Sequence, residues 1–250
     1  MAIERLHWVL VHGACHGAWT YYKTMALLQQ EGYKVTAVDL TSCGTSTVDP
    51  NTVTDFKTYN QPLVDVLNAI PDTEQVITSS TQAEVSAKCD LLYCMTHAME
   101  EFPHKIVLAI AVAAILLLNG ASLDDSPTFS DIVGNSRSVS RFHGLFEINI
   151  LMPNLDVVLA QILCKSVPAP VFMYTAVNYT PEKHGTVPSV YIKCLQDNNL
   201  RPAAQDYIIE HTPQEEVIEM DTDHTPMLSA TKELHQILKQ LAKKYAHGGV

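Results

Sequence analysis

Short β-branched and aromatic runs alternate along the chain with segments whose apolar residues recur every three or four positions. Trp8–Val11 is a continuous apolar run that stops at His12-Gly13, the pattern of a buried strand entering a turn. Residues 19–31 place Tyr22, Met25, Ala26 and Leu28 near helical spacing, and Gly32 is suited to end that helix in the left-handed conformation. Val35–Leu40 is the next expected strand, and Ser42–Ser46 a turn-rich loop. Asp55–Ile70 repeats Tyr59, Leu63, Val66 and Leu67 at helical spacing, with Pro62 predicting a kink or a late start. Gln75–Ile77 opens a third strand, Lys88–Glu101 reads as a helix, and Ile106–Ala114 as a long buried strand. From about 119 to 186 the periodicity weakens and Pro, Ser, Asn and Gly become frequent, as in a cap laid over a sheet. Ser189–Cys194 and Glu216–Met220 are expected strands, separated by a helix at Pro202–Glu210. The last helix presents Leu234, Ile237, Leu238, Leu241 and Tyr245 on one face.

Strands alternating with helices imply an α/β fold, a doubly wound and mostly parallel sheet with a small cap insertion. The 250 residues fit one domain spanning 1–250, with the cap at about 119–186. Sites in such sheets lie at the carboxyl ends of strands, and His12, Asp197 and His224 all follow expected strands.

Composition narrows the function. Hydrophobic residues make up 47% and charged residues 17%, enough apolar material for a full core. A formal net charge of −11 argues against nucleic acid or an anionic membrane as partner. The longest apolar run, Ile106–Leu118, is short for a membrane span, and the first residues lack the pattern of a secretory signal, so a cytoplasmic location is expected. The cysteines at 15, 43, 89, 94, 164 and 194 form no C-x-x-C pair, which sets aside zinc-ribbon and thioredoxin chemistry. There is no G-x-G-x-x-G and no P-loop, so no cofactor is expected.

The chemistry concentrates at the two ends of the chain. A glycine-flanked turn, His12 to Trp19, follows the first strand, and Asp197 precedes His224 by 27 residues. Turn, late Asp and later His is the chain order of an acyl-transfer site whose nucleophile sits between them on a G-x-S-x-G elbow. That elbow is missing, since no glycine occurs between Gly44 and Gly120. His224, before Thr225-Pro226, is either the base or a surface-loop histidine. Asp197 is either its orienting carboxylate or a turn former among Gln196–Asn199, with Asp223 a competing carboxylate. His12 and His16 stand four apart but not on a helix, so no metal site is expected there.

The stretches VLVHGACHGAW (9–19), YKVTAVDL (33–40), TYNQPLVDVLNAIP (58–71), EEFPHKI (100–106), VPSVYIKCLQDNNL (187–200) and TDHTPML (222–228) together resemble the plant methylesterases of the α/β-hydrolase superfamily, relatives of the hydroxynitrile lyases. The resemblance covers most of the chain outside 78–99 and the cap. It implies ester cleavage more than cyanohydrin cleavage, because Gly13 and Thr225 stand where lyases carry Thr and Lys. In its details it resembles the subgroup associated with methyl indole-acetate and similar bulky aromatic esters. It implies His224 as base, Asp197 as orienter, Ala14 as a backbone oxyanion donor and His16 as a pocket residue. Counting back from Ala98-Met99-Glu100, the family's serine position falls on Cys89, which makes the Asp90 amide the second oxyanion donor. A thiol can carry out acyl transfer when a base activates it, but Leu91 is too large for the tight elbow. The bland alternative for Cys89 is a helix cysteine beside Cys94, and Ser79, Ser80 and Ser86 are alternative hydroxyls.

Three functions follow: a carboxylic-ester hydrolase for small methyl esters, weak or inactive for want of the elbow; a non-hydrolytic decarboxylase or lyase using the His224 pocket; or a small-molecule binding protein. A homodimer through the cap is implied by the resemblance alone.

Overall fold

A computed structural model describes residues 6–81, 92–122, 157–168, 171, 174–212 and 214–246. Its strands are β1 (Leu6–Val11), β2 (Lys34–Val38), β3 (Gln75–Thr81), β4 (Ile106–Val112), β5 (Ser189–Cys194) and β6 (Glu216–Met220). They form one sheet in the order β2-β1-β3-β4-β5-β6, every neighbouring pair parallel. The helices are α1 (Tyr22–Gln30), α2 (Phe56–Ala69), α3 (Leu92–Glu101), α4 (Val157–Leu163), α5 (Pro202–His211), α6 (Pro226–Ser229) and α7 (Thr231–Tyr245).

Alternation along each strand divides the core in two. Val9, Val11, Ala109 and Ala111 face Tyr59, Leu63 and Leu67 of α2, Met95 and Met99 of α3, and Ile208 of α5. Trp8, Leu10, Leu108 and Ile110 face Leu28 of α1 and Leu234, Leu238 and Leu241 of α7. Helices thus cover both faces, as a parallel sheet requires. The chain leaves β1 for β2 on one side and later returns to β3 on the other. The crevice at this switch of direction opens between the carboxyl ends of β1 and β3, where α/β sheets bind ligands.

Several boundaries moved for identifiable reasons. Pro62 neither delays α2 nor leaves it broken. Asp55 caps the helix by accepting from the Thr58 amide at 2.8 Å, and Pro62 lies inside. A proline cannot donate to the carbonyl four residues back, and that carbonyl, Thr58 O, instead accepts the Thr41 hydroxyl at 2.7 Å. β2 stops at Val38 rather than Leu40, because the Leu40 amide donates to the His12 imidazole instead of to a strand carbonyl. β4 stops at Val112, where Ala113 turns the chain with φ 44°. A short 3-10 turn, Ala18–Tyr21, precedes α1, and Gly32 closes that helix at φ 88°.

Lys105 is buried at the foot of β4. Its ammonium donates to Leu67 O at 3.0 Å and Ile70 O at 2.7 Å, the unpaired carbonyls at the end of α2, and pairs with Asp72 at 3.0 Å. Replacing Lys105 with Met keeps the stem and strands both carbonyls. We expect a loss of about 2–3 kcal/mol in urea denaturation, from hydrogen bonds to a charged donor in a buried place. A loss below about 0.5 kcal/mol would show that water takes over the role.

Candidate active site

His224 and Asp197 meet at the carboxyl ends of β6 and β5. His224 Nδ1 donates to Asp197 Oδ2 at 2.7 Å, and both side chains are fully buried. The carboxylate is held from behind. Its Oδ1 accepts the Asn199 and Leu200 amides at 2.7 and 2.8 Å, and Gln205 Nε2 approaches Oδ2 at 3.4 Å. Gln205, itself completely buried on α5, also donates to Cys194 O and Leu200 O and accepts the Cys194 amide, which ties the whole 194–200 loop to one side chain. With Nδ1–H committed to the carboxylate, Nε2 is the nitrogen left to take a proton, the arrangement a general base requires. Asp223 is turned the other way, accepting from the Thr225 amide and the Ser229 hydroxyl.

The turn after β1 is locked by two imidazoles. His12 Nδ1 donates to Gly13 O at 2.7 Å and its Nε2 accepts the Leu40 amide at 3.1 Å, so the ring is neutral and stitches β1 to the end of β2. Burial lowers its pKa despite the Gly13 bond and the nearby Asp39 charge. His16 Nδ1 donates to Ala14 O at 2.8 Å. The His16 pKa is lowered to about 4, chiefly by burial acting against that bond, with the proximity of His12 and then of His224 adding in the same direction. The turn and the buried dyad are therefore electrostatic neighbours. Between the two histidines, Cys15 holds φ 63°, a left-handed conformation that costs a non-glycine residue about 1–2 kcal/mol. Such strain concentrates in functional turns.

Asp39 organises this turn, a role not visible in sequence. Its Oδ1 accepts the Ala18 amide at 2.6 Å, and its Oδ2 accepts the Thr45 amide and hydroxyl at 2.9 and 2.7 Å. Burial alone would raise the Asp39 pKa; these donors more than offset it, and the net shift is downward. The loops it joins touch backbone to backbone. A Cβ on Gly17 would lie 2.5 Å from the Gly44 Cα, and the Gly44 amide donates to His16 O at 3.3 Å. From the segment after α4, Lys165 donates its amide to Cys15 O at 2.9 Å and its ammonium to Ser46 O at 2.8 Å.

The remaining candidates divide. Ala14 lies in the turn, buried, beside His16. Cys89, Asp90 and Ser86 lie outside the described residues, so the structure does not place a nucleophile or the second oxyanion donor. Ser79 faces the Tyr21 hydroxyl, whose pKa burial raises and that contact lowers. Ser80, opposite Val11 in register, is fully buried. The described part of β3 runs to Thr81 and that of α3 from Leu92, and the connection between them lies outside the described residues. A separate cavity of about 420 Å³, lined by Met95, Met99, Ala109, Ala111, His184 and His211, shares no residue with the dyad or the turn. Among the described residues no group of three or more His, Cys, Asp or Glu could hold a metal ion.

Residues 8–237 match the alpha/beta hydrolase family. Methyl jasmonate esterase 1 of Vitis vinifera is 32% identical over 265 residues, which cover 96% of this chain and 98% of that protein. The chain is an α/β-hydrolase of the plant methylesterase family. Similarity to the putative chloroplastic methylesterase 11 of Arabidopsis thaliana is also 32% over 265 residues, but this chain spans only 65% of that protein's length. Among solved structures, tomato methylketone synthase I in complex with 2-tridecanone superposes with a TM-score of 0.79 at 26% identity, over 96% of this chain and 99% of the other. Family members of this fold therefore carry names from more than one reaction class, and the α/β-hydrolase frame alone does not decide between them. Among the described residues no helix is long and apolar enough to cross a membrane.

Proposed function

We propose that the protein is a carboxylic-ester hydrolase that cleaves small methyl esters with an apolar, aromatic acid part, of the kind represented by methyl indole-acetate. The observation that carries this reading is the buried Asp197–His224 pair beside the locked glycine turn. That pair supplies a base of fixed tautomer, and the turn supplies the Ala14 amide as a donor for developing oxyanion charge. Cys89 is the candidate nucleophile and the Asp90 amide the candidate second donor. The naming of similar proteins as methylesterases supports the same reaction class. In the proposed sequence the thiol attacks the ester carbonyl while His224 Nε2 takes its proton. His224 then returns the proton to the departing methoxide, and water releases the acid from the acyl-thiol. Purified protein should release methanol from a panel of aromatic methyl esters, measured by alcohol oxidase coupling. No methanol from any member would overturn the reading.

A second reading, a decarboxylase or lyase, is favoured by a separate observation. β3 ends in Ser79-Ser80-Thr81 without a glycine, and the G-x-S-x-G motif is missing. Such an enzyme needs His224 as acid or base but no nucleophile. Replacing Cys89 with Ala separates the two: the hydrolase loses methanol release, and the lyase keeps its turnover.

A further inference from the structure

Two backbone groups at the end of β5 have lost the strand that should pair with them. Along a strand, the backbone groups of successive residues point alternately to its two neighbours. β4 reaches β5 through the Ala109 amide, which donates to Pro188 O, and the Ala113 amide, which donates to Ile192 O, each at 2.9 Å. Cys194 is next in that alternation, so its N–H and C=O face the place where β4 would continue. The Leu195 amide, pointing the other way, donates to Met220 O on β6 at 2.9 Å. But β4 ends at Val112, and the chain turns off at Ala113 with φ 44°. Cys194 is completely buried, where an unpaired backbone group is costly.

The Gln205 side chain takes the place of the missing strand. Its Oε1 accepts the Cys194 amide and its Nε2 donates to Cys194 O, both at 3.0 Å, the two bonds a longer β4 would have made. The same nitrogen donates to Leu200 O at 2.7 Å and lies 3.4 Å from Asp197 Oδ2, the oxygen that receives His224 Nδ1–H at 2.7 Å. Asp197 lies midway in sequence between Cys194 and Leu200, so one carboxamide grips its loop on both sides. An amide is the group this place requires. A carboxylate has no hydrogen to give to the two carbonyls, and an ammonium cannot accept the Cys194 N–H.

We propose that Gln205 is a positioning residue of the dyad: it stands in for the strand that β4 does not supply, and so holds the Asp197 carboxylate where His224 Nδ1–H meets it. Gln205 touches no reacting atom and acts through Asp197. The proposal rests on His224 working as an acid or base, which the hydrolase and lyase readings share. Misplacing a catalytic group by about 1 Å can cost about 10²-fold in rate, so a loop released from its brace weakens the base without unfolding the protein.

Gln205→Met keeps the length of the side chain and removes both ends of the amide. For methyl-ester cleavage, kcat should fall about 10- to 100-fold with KM within about twofold. Independently of turnover, the His224 Nδ1 proton, held in a short bond to a carboxylate, should give a far-downfield ¹H resonance in wild-type protein that broadens or disappears in Gln205→Met. Lys105→Met, which loosens the foot of β4 away from the site, should lose stability yet keep both that resonance and kcat. Gln205→Glu decides the matter if Gln205→Met fails to fold. Protonated, the new acid both donates and accepts, as the amide does; ionised, it turns only acceptors toward Cys194 O, Leu200 O and Asp197. In this variant the downfield resonance should be present at about pH 5 and lost at about pH 9, and in wild-type protein it should be present at both. An undisturbed resonance and kcat in Gln205→Met, equal effects from Lys105→Met, or a Gln205→Glu resonance indifferent to pH would each overturn the proposal. Failure of the wild-type protein to cleave any methyl ester would overturn the esterase reading and leave the resonance test to decide this one; methanol release with an unperturbed Gln205→Met would do the reverse.

Discussion

Replacing Asp197 with Asn lowers kcat/KM for methyl-ester cleavage by about 10³- to 10⁴-fold, the scale on which a misoriented base acts in acyl-transfer triads. The cause is the tautomer. The Asn199 and Leu200 amides both donate to one carboxylate oxygen, Oδ1, and in the variant they select the amide oxygen for that place. The NH₂ group then faces His224 Nδ1, which must become the acceptor, and the proton moves to Nε2. A base already carrying a proton on its working nitrogen cannot receive another. His224→Ala removes the base itself and should cost at least as much. Methanol release measures the rate, and ¹⁵N spectra of His224 report which nitrogen is protonated. A loss of less than tenfold with the tautomer reversed would show that His224 is not the base.

Gly44→Ala destabilises the fold by about 2–4 kcal/mol and carries activity down with it. Gly44 sits at φ 51°, and a Cβ there would lie 1.8 Å from Asp39 Oδ1 and 2.2 Å from Cγ. The far end of Asp39 cannot move aside freely, because the Ala18 and Thr45 amides hold it. The Gly44 backbone cannot retreat toward Gly17, because the two chains already touch. Gly120→Ala is the control. Its φ is 82°, but nothing lies within 4 Å of the added methyl, so only the backbone penalty of about 1 kcal/mol applies. Urea denaturation of both variants separates crowding from backbone strain. Equal losses would mean that the Asp39 clasp yields easily.

The frame of this protein was readable because its signals are periodic. Trp8–Val11, Ser189–Cys194 and Glu216–Met220 are apolar or β-branched runs bounded by polar turns, and strands occupy those places. Each of His12, Asp197 and His224 follows one of these strands, which is why the late dyad was visible at a separation of 27 residues. What escaped depends on side chains that act across the fold. Asp39 looked like the last polar residue of a strand; the one hint was a carboxylate five residues before an isolated glycine. Gln205 is one polar residue among others in the expected helix, with nothing in the local pattern to single it out, yet it is fully buried and braces the Asp197 loop. The fate of Pro62 was settled by Thr41, a partner no local pattern can name. The nucleophile is a different case, since the glycines that would mark its place are not in the chain.

The double grip of Lys165 makes the segment after α4 and the turn after β1 a single mechanical piece. Its amide holds Cys15, one residue beyond Ala14, and its ammonium holds the neighbouring loop at Ser46. Any movement that lifted the segment after α4 would have to prise both contacts open, and under the proposed function it would pull the Ala14 amide away from its place as an oxyanion donor.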